Sequence, residues 1–240
     1  MNTPRLRIFA GPNGSGKSTL KSVINDVLLG IYINPDEIEK GIKKDGYLDL
    51  STFKIEARLD EVVEFFKKHK LLKKVSLEQE YKKLKFSDNK IYFDDIKINS
   101  YYASVCADFI RQNLLKLKIS FTFETVMSSD DKIELLNKAQ KSGYRTYLYF
   151  IATQDPLINI SRVENRVLNG GHDVPKDKIV SRYYRSLELL SDAVKYSNRA
   201  YIFDNSSSGR KWLAQINNGN EVELKTQNIP MWVDNYLLNK

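Results

Sequence analysis

The chain has 240 residues, 42% apolar and 28% charged, and its 38 Lys plus Arg against 30 Asp plus Glu give a formal charge of +8. These proportions are ordinary for a soluble globular protein, and the length suits one large α/β domain carrying an elaboration. No run approaches the ~18 apolar residues of a membrane span, no secretory h-region opens the chain, and the single cysteine, Cys106, excludes an internal disulfide framework and a Cys-cluster zinc site.

The two histidines, His69 and His172, argue against His-rich metal chemistry, and a reducing cytoplasm is the expected compartment. The basic excess permits an anionic partner but speaks to partners and not to fold.

Residues 6–10 form a short apolar run, a predicted strand, that ends in Gly-Pro-Asn-Gly-Ser-Gly. A helical pattern follows from Lys17, with Leu20, Val23, Ile24, Val27 and Leu28 on one face. Residues 31–34 read as a second strand closed by Pro35, which cannot continue a ladder. Residues 48–97 break the rhythm. They are lysine-dense around Lys67, Lys68, Lys70, Lys73 and Lys74, and predict an insertion of two or three helices.

Asn99 or Ser100 caps the next helix, which carries Tyr102, Val105, Phe109 and Leu114 on one side. Three buried strands are expected over 119–123, 146–152 and 200–203, each a near-continuous apolar or aromatic run. Between them, one helix is capped by Ser128 or Ser129 and stops at Gly143; another holds Ile160, Val163 and Val167 and stops at Gly170-Gly171. A further helix starts near Pro175 and carries Val180, Tyr184, Leu187 and Leu190. Asn217-Asn218-Gly219-Asn220 predicts the turn of a C-terminal hairpin. Strands alternating with helices predict a doubly wound, mostly parallel α/β sheet, a P-loop kinase-like domain over 1–47 and 98–240.

Gly11 to Ser18 satisfies G-x-x-x-x-G-K-[ST] and lies between a predicted strand and helix. Gly11, Pro12, Asn13, Gly14, Ser15, Gly16, Lys17, Ser18 and Thr19 are therefore the expected nucleotide-binding set. Backbone N–H groups would converge on phosphate, Lys17 would reach the β- and γ-phosphates of ATP, and Ser18 would ligate Mg²⁺.

In open parallel sheets ligands gather beyond the carboxyl ends of the strands, where Asp36 and Glu124 stand. Each is a candidate catalytic carboxylate, with helix capping as the competing role of Asp36. Arg162 and Arg166 share a helix face, Arg182 and Arg185 lie on the following helix, and residues 170–175 join the two as a hinge. That is the pattern of a lid over transferring phosphates, the competing reading being surface pairing with Glu164, Asp177 or Glu188. Residues 203–206 end the last strand, at an adenine position or a simple turn, and Cys106 reads as core.

Gly11–Ser18, Asn34-Pro35-Asp36-Glu37, Phe123-Glu124-Thr125, residues 170–175 and residues 181–187 together resemble the zeta-toxin-like P-loop kinases, in the branch termed predicted ATPases. The resemblance covers about residues 5–47 and 99–210 and leaves out the insertion. It implies an ATP- and Mg²⁺-dependent kinase that phosphorylates a hydroxyl of a small molecule. In the family's better-studied members this acceptor is UDP-N-acetylglucosamine, and the kinase is a toxin with an antitoxin protein.

By the same resemblance Asp36 is the base, Glu124 a substrate-contacting acid and Arg162 a lid arginine. A departure near His172 leaves Arg166 or Arg182 to supply the second lid charge. The alternatives are a nucleic-acid kinase or repair ATPase, and a non-catalytic nucleotide-binding regulator. Nucleic acid is not the expected partner, because Glu78, Glu80, Asp88, Asp94 and Asp95 interrupt the insertion's lysines, and neither is a membrane, because no apolar run is long enough to span one.

Overall fold

The computed structural model describes residues 3–22, 24–171 and 173–240, so Val23 and His172 lie outside the described residues. The strands in chain order are β1 (Arg5–Ala10), β2 (Ile31–Ile33), β3 (Tyr47–Asp49), β4 (Lys85–Ser87), β5 (Lys90–Tyr92), β6 (Phe121–Thr125), β7 (Arg145–Ala152), β8 (Arg199–Asp204), β9 (Lys211–Asn217) and β10 (Glu221–Leu224). A seven-stranded, mostly parallel sheet has the order β10-β9-β8-β7-β1-β6-β2. The expected mostly parallel α/β class holds. β7 pairs in parallel with β1 and β8, whereas β9 and β10 form the antiparallel hairpin that Asn217–Asn220 signals. The chain divides into two compact units, residues 1–30 with 122–240, and residues 31–121.

In the first unit β1 is hydrophobic on both faces, with Leu6, Ile8, Phe9 and Ala10 fully buried, which is what a central parallel strand requires. Phe9, Leu20, Leu29 and Ile151 form one core cluster, against which Ile24, Tyr149 and Phe203 pack. Tyr149 stacks on Phe9 at 4.9 Å and on Tyr201 at 5.0 Å.

Three details differ from the sequence reading. The helix after the glycine loop is not continuous: it runs Lys17–Lys21 and restarts as Asp26–Leu29. Asn25 accepts a hydrogen bond from the Val27 N–H at 3.0 Å, and this new cap leaves Val27 88% exposed. The helix Asp131–Lys141 has Asp130 at its N-cap; Ser129 instead donates to the Asp131 carboxylate. In the helix Lys176–Glu188 the buried face is Ile179, Tyr183, Ser186 and Leu187, so Tyr184 is exposed. The Tyr183 hydroxyl donates to the Thr153 carbonyl at 2.6 Å, which sets that rotation.

In the second unit Asn34 caps the helix Pro35–Asp45, with Pro35 in its first turn and Gly46 at its C-cap. Residues 48–97 hold helices Leu59–Lys68 and Lys70–Lys74 and contribute to a three-stranded antiparallel sheet of order β3-β5-β4. The helix Ser100–Lys116, capped by Asn99, buries Tyr102, Val105, Cys106, Phe109 and Leu114. Phe65 meets Phe109 edge-on at 5.1 Å, Phe66 is fully buried beside Phe93, and these rings are core rather than a base-stacking surface. His69 is structural: its Nδ1 accepts from the Leu71 N–H and its Nε2 faces Asp108 at 3.3 Å.

Candidate functional site

The glycine loop joins β1 to the helix Lys17–Lys21 in the first unit. Lys17 Nζ donates to the carbonyls of Gly11 at 2.8 Å and Pro12 at 2.9 Å, so the ammonium lies curled over the loop. Ser18 Oγ donates to Glu124 Oε2 at 3.0 Å, which brings together the hydroxyl and the carboxylate singled out in the sequence. Glu124 is in place because β6 is buried through Phe123 and emerges there.

Among the described residues Asn13 Oδ1 and Ser15 Oγ in the loop, and Arg162 Nη1, are buried without a hydrogen-bond partner. Ser15 is fully buried, and a buried hydroxyl with no partner among the described residues calls for an explanation.

The loop is held from outside by Asn159, which the sequence reading missed, and by Asn205, which it placed at an adenine position or a simple turn. Thr153 Oγ1 donates to Asn159 Oδ1, and Asn159 Nδ2 donates to the Asn13 carbonyl. Asn205, just past β8, donates through Nδ2 to the Ser15 carbonyl at 2.8 Å. Asp204 is buried and accepts from Ser206 N at 2.9 Å, from Ser206 Oγ at 2.9 Å and from Trp232 Nε1 at 3.0 Å. Asp204 therefore closes a turn and anchors the C-terminal segment. The available signal was a polar residue just beyond an apolar strand, which by itself names no partner.

The two arginine-bearing helices, Pro156–Leu168 and Lys176–Glu188, pack through Val163, Val174 and Ile179 with Ile160 and Val167 against them. Arg162 is half-buried, one turn beyond Asn159; Arg166 is exposed and Arg182 half-buried. Glu164 pairs with Lys176 at 2.7 Å, and Arg185 donates to the Ser181 carbonyl.

Asp36 belongs to the second unit, in the first turn of the helix Pro35–Asp45. Its capping role does not hold, because Asn34 Oδ1 accepts the Asp36 N–H at 2.9 Å and is itself the cap. The Asp36 side chain is exposed, and among the described residues no hydrogen bond or ion pair engages its carboxylate. In the same unit a cavity of about 330 Å³ is lined by Tyr32, Asn34, Glu37, Asp45, Tyr47 and Asp49, among others.

The loop fits a nucleotide: it has the orphaned Ser15 hydroxyl, a lysine within reach and a helix N-terminus. Ser18 and Glu124 are oxygen ligands of the kind Mg²⁺ takes, usually alongside phosphate and water. Among the described residues no group of three or more His, Cys, Asp or Glu could hold a metal ion. Nor is any helix among them long and apolar enough to cross a membrane.

Residues 98–215 match the family model described as Zeta toxin. An uncharacterized protein of Haemophilus influenzae is 30% identical over 69 residues, which cover 29% of this chain and 49% of that protein, so the match spans about half the length of this curated relative. The crystal structure of AvrRxo1-ORF1:-ORF2 with ATP superposes with a TM-score of 0.53 at 14% identity over 93% of this chain and 61% of that one. The structure from the PezAT chromosomal toxin–antitoxin system of Streptococcus pneumoniae gives 0.52 at 14% identity, over 100% of this chain and 80% of that one. These two superpositions place the fold.

Proposed function

We propose, from the match of residues 98–215 to the family model described as Zeta toxin, that the protein is an ATP-dependent kinase that phosphorylates a hydroxyl of a small molecule and acts as a toxin. The observation that carries this reading is the glycine loop with Lys17 over it and Ser18 bonded to Glu124. The acceptor we propose is a sugar nucleotide of the UDP-N-acetyl class. The cavity in the second unit supports a hydroxyl-rich ligand, since its carboxylates and tyrosines offer hydrogen bonds and ring faces.

ATP with Mg²⁺ supplies the phosphoryl group and the charge that the site has to neutralise. The chain's own part begins with Lys17 leaving two loop carbonyls, which frees its ammonium to neutralise phosphate charge. Ser18 and Glu124, which share a hydrogen bond, would hold the metal and its water, and the metal would supply positive charge against the phosphates. Arg162, with an Nη1 that is buried and unpaired among the described residues, donates to the transferring group, and Arg166 or Arg182 adds a second charge. Asp36 takes the proton of the acceptor hydroxyl. The partner in the cell is an antitoxin protein that restrains the kinase.

The test is incubation with γ-labelled ATP, Mg²⁺ and a panel of UDP-sugars, free sugars and oligonucleotides, with the labelled product identified. Label on a UDP-N-acetyl sugar supports the full reading. Label on another small hydroxyl compound corrects the acceptor, and the absence of label on any acceptor or in free phosphate overturns the kinase.

A further inference from the structure

A phosphate loop works only if its N–H groups face the ligand, and this forces the alternate carbonyls outward. Those carbonyls are strong acceptors, and the loop is more ordered when each has a donor. Here the donors are two side-chain amides from different parts of the first unit. Asn159, fully buried in the helix Pro156–Leu168, donates to the Asn13 carbonyl, and Asn205 donates to the Ser15 carbonyl at 2.8 Å.

Neither asparagine hangs loosely. Asn159 Oδ1 accepts from Thr153, whose carbonyl in turn accepts from the Tyr183 hydroxyl at 2.6 Å. Asn205 is fixed by its own N–H, which donates to the Ala152 carbonyl at 2.9 Å. We infer that Asn159 and Asn205 are positioning residues that brace the glycine loop in its nucleotide-accepting shape.

The loop's glycines fit the same account. A Cβ on Gly14 would lie 2.7 Å from the Asn159 carbonyl oxygen, and one on Gly16 would lie 2.5 Å from the Asn205 amide nitrogen. Both residues also have left-handed φ values, 73° and 99°. Glycine at 14 and 16 thus serves the outer side of the loop as well as the phosphate side, because the brace can close only against bare backbone.

The brace differs from the Lys17 contacts in what becomes of it. Lys17 has to leave its carbonyls to meet a phosphate, whereas the asparagines bond carbonyls that no phosphate needs. Their bonds are therefore common to the empty and the loaded loop, and they lower the ordering cost of binding. The inference rests on the kinase reading for its ligand but not for its first measurement.

That measurement is the backbone ¹⁵N heteronuclear NOE of Gly14 and Gly16 in the ATP-free protein, compared among wild type, Asn205→Ala and Asn205→Asp. Asn205→Asp keeps the shape but turns an oxygen toward the Ser15 carbonyl. Both variants should lower the NOE of these two amides, with the rest of the sheet unchanged. The second measurement is ATP affinity against turnover: loss of the donor should weaken ATP binding by about tenfold while kcat stays within about twofold. Asn159→Ala should act in the same direction, and Asn205, being half-exposed, keeps the test open should that variant fold poorly. Unchanged glycine NOEs in both Asn205 variants overturn the brace whether or not the protein binds ATP. Lowered NOEs with no ATP binding even in wild type support the brace and sink the kinase reading instead.

Discussion

Lys17 and Asp36 respond to substitution in opposite ways as far as the fold is concerned. Removing the Lys17 ammonium deprives the partly buried Gly11 and Pro12 carbonyls of one donor. Lys17→Ala should therefore lower the unfolding temperature by only a few degrees, while phosphoryl transfer falls by roughly 10³-fold or more. Phosphoryl transfer at the parental rate in that variant would remove the loop from the chemistry.

Asp36→Asn should leave stability within about 0.5 kcal/mol, since Asn34 already caps the helix. It should lower transfer by about 10²-fold at nearly unchanged ATP affinity. Asn34→Ala is the matching control and should cost about 1 kcal/mol of stability. Parental transfer by Asp36→Asn would point to Glu124 as the base.

Lys17, Ser18 and Glu124 were legible because fixed spacing or a strand end carries their chemistry. The cap was misplaced by two residues, although Pro35 in the first turn already pointed to Asn34. Asn159 was not legible and Asn205 was read only as an adenine position or a turn, since their partners are carbonyls 146 and 190 residues away.

At the scale of elements, the two arginine-bearing helices behave as one packed pair, joined by Val163, Val174, Ile179 and the Glu164–Lys176 contact. Arg162→Ala should lower kcat by roughly 10²-fold and change ATP affinity by less than about threefold, as expected for a group that acts on developing charge. Equal losses in both would make it a ground-state binding residue.

Tyr183→Phe removes a buried hydroxyl that satisfies the Thr153 carbonyl and should cost about 1–2 kcal/mol in thermal or denaturant unfolding. Burial also raises the Tyr183 phenol above its ordinary pKa. The stability this confers is complete below pH ~10, the unfolded value, and is lost as pH rises through the folded one.

Helical periodicity located both helices but put the second face one residue off. A tyrosine next to a tyrosine gives no periodic signal for which of them is buried. The break between Lys21 and Asp26 was hidden in the same way, because the apolar pattern continues through a segment that Asn25 re-caps.

Across the whole molecule the charge of +8 invites a nucleic-acid reading that the side-chain pairing does not support. In the insertion Lys68 pairs with Glu64, Lys83 with Glu80, and Lys85 with Asp94 and Asp95. Oligonucleotide binding should therefore be weak, with a shallow dependence on salt in a titration; tight binding that falls steeply with salt would reverse this. The parallel strands of the large sheet were legible as apolar or aromatic runs, and its hairpin was legible from the Asn217–Asn220 turn. The β3-β5-β4 sheet was not, because strands of three residues are too short to show alternation.

Cys106 has a practical consequence. It is fully buried in the helix Ser100–Lys116, and burial pushes its thiol well above the usual range, so it presents almost no thiolate to a reagent. With a single cysteine in the chain, the native protein supplies a silent background for thiol chemistry. Leu168 is 84% exposed at the end of the helix that carries Arg162, so Leu168→Cys offers a uniquely reactive position there. A fluorophore at that position would report in real time how the arginine-bearing helices respond to added nucleotide, with no need to remove the natural cysteine first.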